Sequence, residues 1–259
     1  MLDTSLPRLH TRSLSVWKRN ALVWRKLIGP SVVINFGEPL LYLLGLGYGL
    51  GLFIGQMAGM DYLTFLASGI VASSAMTTAT FEGMYSVYTR MVPQRTYDAM
   101  LATPIEVDDI LAGEMLWCAT KSLISGVGIL IVATLLGAVG DLRAVLALPI
   151  VFLIGLSFAG PAMVMSAMSP GYDFFNYYFT LVITPMFIVS GVFYPVTVLP
   201  EALQAFVQFL PLTHAVALVR PLVAGQPLTD VPLHLLVLLG YASVGYYVAV
   251  ILTRRRLVV

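Results

Sequence analysis

Six long apolar runs set what this chain can fold into. They cover roughly residues 30–55, 62–87, 115–139, 145–168, 174–194 and 231–252. A helix needs about 20 apolar residues to cross the hydrocarbon of a bilayer, and within lipid it satisfies its own backbone groups. The runs lack the strict alternation that a transmembrane β-barrel requires. They predict an all-α integral membrane protein with six transmembrane helices, in one domain covering 1–259. Composition points the same way. Charged residues are 10% of the chain, against about 25% in a soluble domain, and the mean hydropathy is +0.90. So few charges cannot solvate a globular surface. A soluble enzyme, a nucleic-acid reader and a disordered regulator are therefore set aside, and no nucleic-acid partner is expected. The lone cysteine, Cys118, allows no disulfide framework within the chain.

The net charge of +1 carries little information, but the placement of the charges orients the bundle. Arg8, Arg12, Lys18, Arg19, Arg25 and Lys26 precede the first run, and Arg254, Arg255 and Arg256 follow the last. Arg90 and Arg95 fall between the second and third runs, with Lys121 near the same side, whereas the other side has Arg143 and Arg220. Short basic loops stay in the cytoplasm. Both termini are expected there, in a multi-pass protein of a bacterial inner (plasma) membrane. The first run begins too late and runs too long for a cleavable signal, and no A-x-A-like site follows it.

Four stretches lie outside simple spans. Residues 13–28, SLSVWKRNALVWRKLI, mix Leu and Trp with basic residues, the pattern of an amphipathic helix lying in the interface. It reads either as a plain anchor or as a helix that meets a cytoplasmic partner. Residues 94–114, QRTYDAMLATPIEVDDILAGE, form the largest cytoplasmic loop. Thr103, Pro104 and Glu106 have the form of a capping box with Pro at the first helical position. A helix is expected to start near Pro104 and continue into the third span. Before it, Tyr97, Met100 and Leu101 make a short apolar face beside Arg95 and Asp98, suited to docking on a partner or on the bundle itself. Ser169, Pro170 and Gly171 mark a tight turn, and Asp173 is expected to cap the fifth span. Residues 195–221 are cut by Pro195, Pro200, Pro211 and Pro221 into apolar pieces too short to span. These read as re-entrant helices between spans five and six, shaping an outer vestibule or gate.

The sequence has no G-x-x-x-x-G-K-[ST] loop, since none of its lysines follows a glycine. H-E-x-x-H and G-x-S-x-G are absent too, and His10, His214 and His234 show no metal-ligand spacing. Neither a metal nor a cofactor is expected on this chain. Intramembrane charges are functional candidates by default, and Glu38, Glu82, Glu114 and Lys121 qualify. All four lie toward the cytoplasmic ends, which favours ion pairs over a midplane proton relay. Lys121 could pair with Glu114, seven residues away on the same helix, or with a carboxylate on another helix. The aromatic residues from Tyr172 to Phe179 and the tyrosines of the last span read as belt and packing residues. Alternatively they line an amphiphile's path, for which Tyr177, Tyr178 and Tyr246 are the candidates.

Together the segments resemble the membrane subunit of ABC-2 type exporters. Residues 169–220 carry P-x-F-x-x-S-G-V-F-Y-P, then L-P, then L-P-L-T-H and a later Arg, similar to that family's C-terminal signature. The loop 94–114 resembles its cytoplasmic coupling segment. Within the family the chain looks most like NodJ-type permeases, which work with a NodI-type ATPase in lipo-oligosaccharide export. The resemblance implies a pair of permease copies, each bound to a separate cytoplasmic ATPase that holds ATP and Mg. It also implies membrane lipids around the bundle and an amphipathic glycan or lipid as substrate. By position, Arg95, Tyr97, Asp98, Met100 and Leu101 become the ATPase-coupling residues. Gly191, Phe193, Tyr194, Pro195, Pro200, Pro211, His214 and Arg220 become the re-entrant gate. Two other classes compete with this reading: an ion-driven secondary carrier, which would need an essential intramembrane carboxylate, and an intramembrane transferase, which would need a convergent acid, base and nucleophile.

Overall fold

The computed structural model describes residues 5–8, 10–26 and 28–258, with the backbone alone for 30–36, 38 and 258. The chain is helical almost throughout. Helix α1 (Ser13–Arg25) is followed by α2 (Ile28–Gly49), a helical turn (Gly51–Ile54) and a two-residue antiparallel ladder of Gln56–Met57 with Met60–Asp61. Next come α3 (Tyr62–Met91), α4 (Thr96–Leu101), α5 (Val107–Leu135) and α6 (Ala147–Met168). Helices α7 (Asp173–Val189), α8 (Glu201–Val207), α9 (Pro211–Ala224) and α10 (Val231–Val258) complete it.

Among the described residues, four helices are long and apolar enough to cross a membrane: Tyr62–Met91, Val107–Leu135, Leu142–Met168 and Val231–Leu257. Helices α8 and α9 meet at an 86° bend and would make a fifth span if taken as one broken unit. The fifth expected span is a shorter apolar helix, Asp173–Val189. The first falls on α2, which runs from Ile28 to Gly49 with Pro39 inside it. Helix α7 stops at Val189 because Gly191 turns the chain with φ +83, five residues before the apolar run ends. The expected cap at Asp173 is also displaced, since Tyr172 takes the cap position and Asp173 sits in the first turn. Helix α5 starts at Val107 rather than Pro104. Glu106 caps it, and the Asp109 carboxylate accepts the Glu106 N–H at 3.3 Å.

Helix α3 is central and buried on nearly all sides. It packs on α2, α5, α6 and α9. Small residues let these helices approach closely, as bundles in lipid require. Ser74 and Ser125 hydroxyls share a hydrogen bond of 2.6 Å, and the Ser122 hydroxyl donates to the Ala75 carbonyl at 2.8 Å. Helix α10 lies along α6, where a Cβ on Gly160 would come 2.9 Å from Gly245 backbone atoms.

Helix α1 buries Ser13, Val16 and Asn20 on the bundle and leaves Leu14, Leu22 and Val23 exposed. Its seat is Gly113 of α5, where a Cβ would fall 2.5 Å from the Ser13 carbonyl and 2.6 Å from Val16 Cβ. Substituting Gly113→Val is therefore expected to lift α1 and cost roughly 1–3 kcal/mol. The measurements are a lower thermal midpoint and faster proteolysis within 13–25. An unchanged cleavage pattern would mean that α1 does not depend on this seat.

Candidate coupling and transport site

Where α1, α3 and α5 meet, a charged cluster is buried. Arg90 is not the loop residue that its sequence position suggests. It lies in the last turn of α3, because a π-helical segment at Glu82–Ser86 carries the helix on to Met91. Its Nε donates to Glu114 Oε1 at 2.9 Å, and one terminal nitrogen reaches Glu114 Oε2 at 2.6 Å and Glu82 Oε1 at 3.0 Å. Lys121 pairs across helices with Glu82 Oε2 at 2.9 Å, rather than along its own helix with Glu114. The Trp117 indole and the Ser86 hydroxyl also donate to Glu82, at 3.1 and 2.9 Å. Asn20 of α1 donates to Glu114 Oε2 at 2.9 Å. Of the four intramembrane charges, Glu82, Glu114 and Lys121 thus join one ionic network, and the side chain of Glu38 lies outside the described residues.

Above this cluster lies a cavity of about 500 Å³ between α2, α3, α5 and α7. Ser73, Ser74, Thr77 and Thr78 give it a hydroxyl-bearing wall. Tyr42, Phe81, Tyr85 and Phe187 supply aromatic faces, and Glu82 and Lys121 close one end. A cavity of this size suits a small-molecule or head-group site. The aromatic residues named from sequence lie elsewhere. Tyr177 is 65% exposed, Tyr178 packs partly buried against the core, and the Tyr246 hydroxyl donates to the Asp108 carbonyl at 2.9 Å.

In the 94–114 segment the apolar side chains turn inward. Tyr97 is fully buried and Met100 nearly so, while Leu101 packs partly buried against the core. Burial and the nearby Glu114 carboxylate hold the Tyr97 phenol well above its ordinary pKa, so it stays neutral. Its hydroxyl makes no hydrogen bond of acceptable geometry among the described residues. Arg95 and Asp98 are exposed, and Arg95 adopts the left-handed conformation, φ +48, where α4 begins. The side of this segment open to a partner is therefore charged, and its apolar side belongs to the bundle.

On the opposite side, Arg220 of α9 donates to the Gly191 carbonyl at 2.7 Å and to the Ser68 hydroxyl at 3.1 Å, with its guanidinium 3.6 Å from the centre of the Phe65 ring. Phe193 packs edge-on against Phe187, Tyr194 is half-buried, and Pro195, Pro200 and Pro211 stand at the starts of short helices. The histidines are not all apart: His214 and His234 meet with their Nδ1 atoms 2.7 Å apart. His214 Nε2 lies 2.7 Å from the Gln208 carbonyl, a pure acceptor, and so carries the proton. Among the described residues, no group of three His, Cys, Asp or Glu is placed to hold a metal.

Two features escape sequence reasoning. The Ser and Thr wall reads as ordinary span residues until packing shows that it faces a cavity. Arg90 reads as a basic loop residue until its two carboxylates are in place.

Several helices long and apolar enough to cross a membrane make this a multi-pass membrane protein. The ABC-2 type transporter family matches residues 12–223, and the chain belongs to it. It is the membrane subunit of an ABC exporter, a non-catalytic inner-membrane protein whose partner is an ABC ATPase. It is 47% identical over 253 residues to Nodulation protein J of Rhizobium leguminosarum bv. viciae, covering 98% of both chains. Against Nodulation protein J of Rhizobium meliloti (strain 1021) the identity is 44% over 253 residues, with 98% of this chain and 97% of that protein covered. The inner membrane transport permease YadH of Escherichia coli (strain K12) is 26% identical over 226 residues, covering 85% of this chain and 84% of YadH.

Proposed function

We propose that two copies of this chain, each bound to its own NodI-like ATPase, form an outward path for an acylated or lipid-linked glycan. The observation that carries this reading is the 500 Å³ cavity lined by both hydroxyls and aromatic rings. A sugar offers hydroxyls around its rim and apolar C–H faces above and below, so it matches both kinds of lining. ATP and Mg stay on the partner, which supplies the driving force. All six apolar runs cross the membrane, with the basic ends and both termini in the cytoplasm.

Arg95 and Asp98 present the contact to the ATPase, and Tyr97, Met100 and Leu101 carry its motion inward toward α5. The element with two states is the pair of copies, opened and closed through this segment. Gly191 to Arg220 close the outer end. An ion-driven carrier finds no favouring observation: the two described buried glutamates, Glu82 and Glu114, are held by Arg90, Lys121, Trp117, Ser86 and Asn20.

The test is ATP-driven uptake of a fluorescent acylated oligosaccharide into inside-out proteoliposomes holding the chain and its ATPase. Thr77→Trp, which fills the cavity, is expected to cut uptake at least tenfold while the ATPase still copurifies. Full uptake by that variant would remove the cavity from the path.

A further inference from the structure

A second cavity, of about 340 Å³, opens where α1 lies against α3 and α5. Arg19, Trp24, Arg90, Trp117 and Lys121 line it. It shares Glu82, Tyr85, Ser86 and Lys121 with the first cavity, whereas its Arg19, Trp24 and Trp117 side has no part in the transport reading. Its charges do not cancel: Arg19, Arg90 and Lys121 face Glu82 and Glu114, three cations against two carboxylates among the described residues. Both carboxylates are already saturated. Glu82 accepts from Arg90, Lys121, Trp117 and Ser86, and Glu114 accepts twice from Arg90 and once from Asn20.

Arg19 is the cation left over. It donates to the Asn20 side-chain oxygen at 3.0 Å and makes no ion pair among the described residues. Burial and the neighbouring Arg90 pull its pKa below the ordinary value, the sign of a cation short of a counter-charge. Beside it the Trp24 indole N–H, a donor only, is buried without a partner among the described residues. A spare cation lines this space, and the unpartnered donor belongs to a residue that lines it too, so one monoanion that accepts hydrogen bonds would pair with Arg19 beside Trp24.

We propose that this cavity binds the phosphodiester head group of an anionic membrane phospholipid. The volume fits a phosphate and its glycerol, not the acyl chains. Val23, exposed on α1 and lining the cavity, continues the site toward the chains as an apolar surface. Basic pockets between membrane helices take anionic head groups on the same principle. The inference rests on the membrane reading of the fold and not on the identity of the exported substrate. Seated there, the lipid ties α1 to the ends of α3 and α5, beside the coupling segment.

The test uses the full chain with its ATPase in nanodiscs of phosphatidylcholine mixed with phosphatidylglycerol. Native mass spectrometry reads the phosphatidylglycerol retained on the protein, relative to its share of the bilayer. Enrichment is expected for the wild type, with a roughly fivefold fall for Arg19→Gln and a fall in the same direction for Trp24→Phe, which keeps the ring and removes the donor. Lys18→Gln, exposed on the same helix outside the cavity, should leave enrichment unchanged. If Arg19→Gln fails to accumulate, Trp24→Phe decides alone. Equal enrichment in the wild type and the cavity variants would overturn the site. Displacement of the lipid by millimolar inorganic phosphate would overturn the lipid as its occupant. Because no transport is measured, a wrong substrate would leave this result standing.

Discussion

Arg90→Leu is expected to be the most damaging single change in the bundle, costing about 3–5 kcal/mol. Among the described residues Arg90 alone bonds both buried glutamates, and it holds Glu114 with two parallel hydrogen bonds. Without it Glu82 keeps Lys121, but among the described residues Glu114 keeps only the hydrogen bond from the Asn20 amide. A buried carboxylate with one neutral donor pays nearly its full desolvation penalty. Two further variants separate charge from geometry. Arg90→Lys keeps the charge but cannot offer the planar fork, so its loss should be intermediate. Glu114→Gln in the Arg90→Leu background should recover part of the loss, because the amide no longer carries an unpaired charge. The measurement is the thermal midpoint of the purified chain with its ATPase, together with accumulation in the membrane. A wild-type midpoint for Arg90→Leu would mean that water or another cation reaches Glu114.

Gly160→Leu comes second, at about 1–3 kcal/mol. At this crossing a Cβ would lie 2.9 Å from the Gly245 Cα and carbonyl carbon and from the Tyr246 nitrogen. Backbone atoms cannot swing aside as a side-chain tip can, so α6 and α10 must part. The contacts that depend on their register then go as well. The Tyr246 hydroxyl leaves the Asp108 carbonyl, and Arg256 leaves the carbonyls of Ser166 and Ala167, at 2.9 and 3.0 Å. Gly240 is the internal control. It lies on α10, the helix of Gly245, and a Cβ there meets nothing within 4 Å. Gly240→Ala is expected to be neutral or to gain about 0.5–1 kcal/mol from helix propensity. Similar midpoints for Gly160→Leu and Gly240→Ala would show that the crossing tolerates separation.

The long helices are legible because crossing lipid is a matter of composition, and composition survives without a structure. Helices α3, α5, α6 and α10 fall where apolar runs predict them, with ends moved by local chemistry such as the Glu106 cap. The shorter α7 misleads because hydropathy cannot see the turn at Gly191. Glu82, Glu114 and Lys121 stand out as charges in apolar surroundings, but their pairing depends on which helices touch. The same holds for His214 and His234, twenty residues apart and yet in contact. Tyr97 shows the limit from the other side. An apolar face on a short segment predicts docking, and only packing shows that this face docks on the chain's own α5.

The π-helical turn at Glu82–Ser86 also changes how the sequence of α3 should be read. Such a turn holds one residue more than an α-turn, and each α-helical residue advances about 100°. A helical wheel drawn from Tyr62 without correction therefore reaches Arg90 out of phase, on a face that does not meet Glu114. In a relative that lacks one residue between positions 82 and 86, the faces on either side would still align. An alignment of this helix is thus correct only if it allows a gap inside what looks like an unbroken span.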